Sequence, residues 1–168
     1  MPDIRVFQVS DLTSVTLDWL LLPAGGLDDT EQLATAIIVA IGTDRRALPT
    51  DDLPNIGDDD RRGWWGDLNA DTIWNGWPIG SRLWLLGRSK ITGVAAKDGS
   101  TLNKVRAYLN EAIQPFIALG VASALTIDVV RRGRNEIDAT VTLYRGPKTA
   151  IQLQFSDLWN GIASGAAQ

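Results

Sequence analysis

Apolar and polar residues alternate along three stretches near the C-terminal end. Leu125, Ile127 and Val129 alternate with Thr126, Asp128 and Val130, Ile137, Ala139, Val141 and Leu143 with Asp138, Thr140, Thr142 and Tyr144, and Ile151, Leu153 and Phe155 with Gln152 and Gln154. A period of two is the mark of a strand with one face buried, and the three runs predict an antiparallel meander turning at Arg132–Asn135 and Gly146–Thr149. Upstream the period changes. Leu102, Val105, Leu109, Ile113, Phe116 and Ile117 recur three and four residues apart, which predicts an amphipathic helix capped by Ser100 or Thr101 and stopped at Gly120. Pro115 lies within that stripe, where it removes a donor and crowds the carbonyl of Glu111, so a kink or restart is expected near Gln114.

The N-terminal pattern is shorter in period and more broken. Ile4–Val9 and Ser14–Leu20 read as two antiparallel strands turning at Ser10-Asp11. Pro23-Ala24-Gly25-Gly26 interrupts them, and Asp28–Glu31 is a candidate short helical turn. The apolar run Ala36–Ile41 is of strand length and rich in branched residues, and reads as a strand ending near Thr43. Residues 44–81 carry prolines 49, 54 and 78 and several glycines, so no regular element is expected to run far. Tryptophans 64, 65, 74 and 77 argue against disorder there. Ser81–Arg88 reads as one or two helical turns, Ser81 at the N-cap and Leu83, Trp84 and Leu86 inward. Trp19, Trp84 and Trp159 fall on apolar patterns and are expected in the core. The expected fold class is α+β: a small antiparallel sheet, including the meander, packed against one long and one short helix, with a long irregular Trp/Arg/Asp-rich loop. One domain over residues 1–160 and a mobile tail over 161–168 are expected.

Composition narrows the chemistry. The 168-residue chain has no His and no Cys, so an imidazole base, a thiolate metal site and a disulfide framework are all excluded. With no N-x-Ser/Thr sequon, no export-like N-terminus and no apolar run near the roughly 20 residues that span a bilayer, the chain reads as soluble and retained in a reducing cytosol. Net charge is −4, but unevenly spread: residues 1–71 hold 14 acids and 5 bases, residues 72–168 hold 6 and 11. Such polarity steers head-to-tail association, unless both charge sets are merely solvated.

The densest constellation is Asp58-Asp59-Asp60-Arg61-Arg62-Gly63-Trp64-Trp65-Gly66-Asp67. Trp and Arg combine large rigid contact area with directed donors, which makes the segment a candidate docking surface. Asp58, Asp60 and Asp67 are also the residue types of a cation site or a glycosidase pair. The calcium-loop pattern fails at Arg62 and Asn69, however, and ion pairing of these acids to Arg61 and Arg62 is the expected arrangement. No cofactor and no catalytic residue is expected. Arg82, beside Ser81 at a helix start, is expected to pair with Asp67. Two other readings stay open. A glycan-binding module would stack sugars on the loop tryptophans, and a nucleic-acid binder would use Arg131, Arg132, Arg134 and Arg145, though an acidic total and a small basic cluster disfavour the latter.

The order of Thr43-Asp44-Arg45-Arg46-Ala47, Asp60–Asp67, Gly80-Ser81-Arg82-Leu83-Trp84-Leu85-Leu86, Glu111–Pro115 and Phe155-Ser156-Asp157-Leu158-Trp159 closely resembles the baseplate wedge protein family of Mu-like contractile-tailed bacteriophages. The resemblance covers most of the chain, except Asp71–Pro78 and the tail after Trp159. It implies a structural, non-enzymatic protein of the virion tail baseplate, made in the host cytoplasm and similar to the small sheath-initiating wedge protein of larger contractile phages. The partners it implies are other wedge proteins, the central hub or spike protein and the tail sheath protein, with multiple copies in the assembly, no nucleic acid and no membrane. Arg45, Arg46, Arg61, Arg62, Trp64, Trp65, Asp67 and Arg82 are the candidate partner-interface residues, and the edges Ile4–Val9 and Ile151–Phe155 are candidates for strand addition by a partner's extended arm.

Overall fold

The computed structural model describes residues 6–10, 15–19, 32–55, 57–73, 76–87, 100–132 and 136–155. The meander forms as its alternation predicts: β3 (Ala124–Arg131), β4 (Ile137–Arg145) and β5 (Lys148–Phe155) pair antiparallel in the order β3-β4-β5. The register sets Leu125, Ile127 and Val129 opposite Leu143, Val141 and Ala139, and these opposite Ile151, Leu153 and Phe155. One face of the sheet is therefore apolar over these nine positions. Helix α3 (Ser100–Ala118) covers it, burying Val105, Leu109, Ala112 and Ile113. The opposite face is polar, and on it the buried Asp138 pairs with Arg132. The fold class is α+β, as expected.

The helix does not restart at Pro115. It runs unbroken to Ala118, three residues beyond the proline. Gly120 ends it in the left-handed conformation, at φ 70°, with its amide bonded to the Ile117 carbonyl.

The N-terminal hairpin also forms, with β1 (Val6–Ser10) antiparallel to β2 (Val15–Trp19) and Val6 opposite Trp19. The run at Ala36–Ile41, by contrast, is a helix and not a strand: α1 spans Gln32–Gly42. Of its buried residues, Ala34, Ile37, Ile38 and Ile41 follow a spacing of three and four, Thr35 and Ala40 flank that stripe, and Val39 is 42% exposed. A strand would have placed Ile37, Val39 and Ile41 on one face. Burial against α3 and the sheet outweighs the modest helix penalty of branched side chains. The expected turn at Asp28–Glu31, the Arg132–Asn135 turn in its middle, the surroundings of Trp19 and Trp159, and the tail 161–168 lie outside the described residues.

Among the described residues between α1 and α3 the chain is irregular, as read, apart from a 3-10 turn at Trp65–Asn69, the short helix α2 (Ala70–Ile73) and a 3-10 turn at Leu83–Leu86. Leu83, Trp84, Leu85 and Leu86 are all buried, so this second turn is a core plug. Ser81 does not cap it. Its hydroxyl instead donates to the carbonyl of Ile41 at 2.7 Å, fastening the turn to the end of α1.

Candidate functional site

The motif blocks converge on a clasp built from three strands of irregular chain. Thr43–Ala47 leaves α1 and lies between the segments at 61 and 81. Arg45 N–H donates to Ser81 O at 2.9 Å, Ser81 N–H to Thr43 O at 2.8 Å, and Ala47 N–H to Arg61 O at 2.9 Å. The indole of Trp84 closes the clasp from inside, donating to Arg45 O at 2.8 Å. Each bond satisfies a backbone group that an irregular buried segment would otherwise leave unpaired.

Arg82 ties the clasp to α3. One amino nitrogen of its guanidinium meets both oxygens of Asp51 at 2.9 and 2.8 Å, and its Nε donates to Glu111 Oε2 at 2.9 Å. Its planar end stacks 4.9 Å from the centroid of Tyr108. Glu111 Oε1 lies 3.4 Å from Arg45 Nη1, so one carboxylate on α3 serves two arginines of the clasp. Arg82 is only 14% exposed. Burial works against its charge, but the hydrogen bonds that Arg82 donates to Asp51 and Glu111 outweigh that and hold its pKa above the ordinary arginine value.

The expected pairing of Arg82 with Asp67 is therefore not what forms. Asp67 accepts the backbone N–H of Ile79 at 3.0 Å, and Arg82 finds Asp51 and Glu111, acids 31 and 29 residues away. Nor do Arg61 and Arg62 take up Asp58, Asp60 and Asp67. Arg61 donates to the carbonyls of Leu48 and Pro49, while Arg62 pairs with Asp44 at 2.7 Å and lies over the Trp84 ring at 4.7 Å. Asp58 and Asp60 shape their own turn, accepting the backbone N–H groups of Asp60 and Arg62 at 3.0 and 2.8 Å. The hydrogen bond from the Asp60 amide, then that from Asn55, holds the Asp58 carboxyl below its ordinary value.

Two tryptophans head the remaining surface. Trp64 is half-buried and folds its ring back over Gly66, where any Cβ would come within 2.4 Å of it. Trp65 touches Trp64, centroids 5.4 Å apart and tilted 49°, but is 79% exposed. Leu68, three residues on, is 87% exposed. In a 3-10 turn residues i and i+3 eclipse, so Trp65 and Leu68 stand on one side as an apolar projection. Arg46 is exposed on the clasp's outer side.

Of the eight candidate residues, Arg45, Arg61, Arg62, Asp67 and Arg82 are thus engaged within the chain, and Arg46 and Trp65 are presented outward, with Trp64 between. Sequence reasoning missed Asp51, Glu111 and Leu68. Leu68 was legible in principle as an apolar residue at i+3 from Trp65. Among the described residues no group of three or more acids converges as a metal site would require.

The Tyr108 phenol beneath Arg82 is pushed up by burial; Arg82 opposes this, and Asp51 and Glu111 add to it. The fold therefore favours the protonated phenol. Stability is full below the ordinary value of 10.0 and is lost as the pH rises through the higher folded value. With Tyr144, the other tyrosine, changed to Phe, alkaline absorbance should show Tyr108 ionising later than free tyrosine. Ionisation at or below the free value would refute the packed arrangement.

Residues 33–150 match the family model described as Phage protein GP46. Over 132 residues the chain is 36% identical to the baseplate protein gp46 of Escherichia phage Mu, covering 79% of this chain and 83% of that one. It is 32% identical over 101 residues to the Mu-like prophage FluMu protein gp46 of Haemophilus influenzae, covering 60% and 58% of the two chains. No solved structure matches it.

Proposed function

The chain belongs to the Phage protein GP46 family, and from that premise we propose that it is a structural component of a contractile phage tail baseplate, without enzymatic activity. It holds wedge subunits around the central hub or spike and helps to start sheath assembly, in several copies per tail. It is made in the host cytoplasm and ends in the virion.

The observation that carries a docking role is the split within the Trp/Arg block. Its arginines are occupied inside the molecule, and the apolar Trp65 and Leu68 are left outward. An exposed aromatic beside an exposed aliphatic, on a rigidly fastened loop, is the anchor that a neighbouring subunit's pocket takes. An apolar neighbour offers no hydroxyl partner, so the arrangement favours a protein surface over the glycan reading. The strand edges supply a second contact. Among the described residues β5 pairs with β4 alone, and β1 with β2 alone, so either accepts an arm from the sheath.

Phage tails assembled with a Trp65→Ala, Leu68→Ser variant should lack the chain on immunoblot, although its unfolding free energy changes by less than about 0.5 kcal/mol, as expected for exposed positions. Incorporation at the wild-type level would overturn the docking role. Absence of the wild-type chain from mature tails would overturn the baseplate role itself.

A further inference from the structure

Helix α3 and the outer strand β3 flank an open groove of about 350 Å³, lined by Asn103, Arg106, Ala107, Asn110, Leu125 and Ile127. Leu125 and Ile127 lie on the apolar face of the sheet and are incompletely covered by α3, so they form an apolar floor beside Ala107. The rim is polar and basic. Arg106 is exposed and donates to Asn103 at 3.1 Å, and among the described residues no carboxylate lines the groove.

The Trp65–Leu68 projection is apolar where the groove floor is apolar, and acidic residues accompany it where the groove rim is basic. Its tip is apolar and almost fully exposed, and the exposed acids Asp58, Asp59 and Asp60 precede it in the same motif block. The arginines between turn inward, Arg61 to backbone carbonyls and Arg62 to Asp44 and Trp84, and so leave those acids as the outward charge. An inserted indole needs an acceptor for its N–H, and the Asn110 amide on the groove wall supplies one.

We propose that the groove between α3 and β3 receives the Trp65–Leu68 projection of a second copy of this chain. The proposal rests on the reading of that projection as a docking element and names its partner. Apolar tip meets apolar floor, and the acidic 58–60 run meets Arg106. This is the contact through which the −9 of residues 1–71 and the +5 of residues 72–168 complement each other. Projection and groove are different surfaces, so the contact is heterologous: each copy offers one of each, and copies propagate head to tail until the rotation per copy closes a ring.

Sedimentation velocity of the full chain tests this. Wild-type protein should grow in size with concentration at low salt and shrink towards monomer as salt is added. The Trp65→Ala, Leu68→Ser variant and an Arg106→Glu, Ala107→Gln variant should each associate at least tenfold more weakly, with unchanged circular dichroism. The decisive arm mixes the two, because the first keeps a groove and the second a projection. An equimolar mixture should form a heterodimer and nothing larger. A wild-type chain that stays monomeric at every concentration, variants that associate like wild type, or a mixture that does not pair would each overturn the proposal. None of these outcomes touches the presence of the chain in tails, which the immunoblot reads separately.

Discussion

Replacing Arg82 with alanine should lower the unfolding free energy by about 3 kcal/mol, the scale seen when one member of a largely buried ion pair is removed. The change strips Asp51 of its two short bonds and Glu111 of its strongest partner, while the ring of Tyr108 loses the guanidinium stacked on it. Two carboxylates then share a partly buried space in which Arg45 lies 3.4 Å from Glu111. Arg82→Lys should recover less than half of the loss. An ammonium is a point donor and cannot present one edge to Asp51, another to Glu111 and a flat face to Tyr108 at once. Urea denaturation with an unchanged slope gives the answer directly. A loss below about 1 kcal/mol, the scale of exposed ion pairs, would mean that solvent screens the network as it screens surface charges.

Gly80→Ala should cost at least about 2 kcal/mol, because it combines a strained backbone conformation with overpacking against main chain. Gly80 sits at φ 111°, and a Cβ there would lie 2.5 Å from the Thr43 carbonyl oxygen and 2.9 Å from the Arg45 amide nitrogen. Those two atoms belong to the segment that the Arg45–Ser81 and Ser81–Thr43 bonds join to residue 81. No side chain can swing aside to make room, so the clasp itself must open. Protease cleavage between residues 44 and 61 should then accelerate in step with the stability loss. Gly57→Ala is the control: it also has a positive φ, of 81°, but nothing lies within 4 Å of its Cβ, so it should cost visibly less. Equal losses at the two positions would show that backbone strain alone, and not the closeness of Thr43, explains the effect.

The parts of the fold that could be read from sequence are those set by local periodicity. Leu125, Ile127 and Val129, and their partners in β4 and β5, alternate without a break, so both the strands and the buried face follow from spacing alone. The stripe from Leu102 to Ile117 likewise fixes α3. Helix α1 was misread because the run was judged from Ala36 onward, where Ile37, Ile38, Val39 and Ile41 look like a strand. Starting four residues earlier, Leu33 and Ala34 complete a helical stripe with Ile37, Ile38 and Ile41. The candidate site was legible in composition but not in connection. Which acid meets Arg82 depends on how residues 51, 82 and 111 come together in space, and no short-range spacing encodes that. Proximity in sequence favoured Asp58, Asp60 and Asp67. The turn geometry turned the first two towards backbone amides and the third towards Ile79.

Residues 48–60 leave and re-enter the clasp at almost one point, since Ala47 bonds to Arg61 and the Arg61 side chain reaches back to the Leu48 and Pro49 carbonyls. Such an Ω-shaped excursion is anchored at its neck and along its first half, where Asp51 binds Arg82 and Leu53 packs on the core, while a Cβ at Gly57 would meet nothing within 4 Å. Doubling the length of a loop held this way costs only about 0.6 kcal/mol of closure entropy. The crown at Gly57 is thus a natural splice point for an epitope or a metal-chelating label, through which the position of each copy in an intact particle becomes visible without disturbing the scaffold beneath.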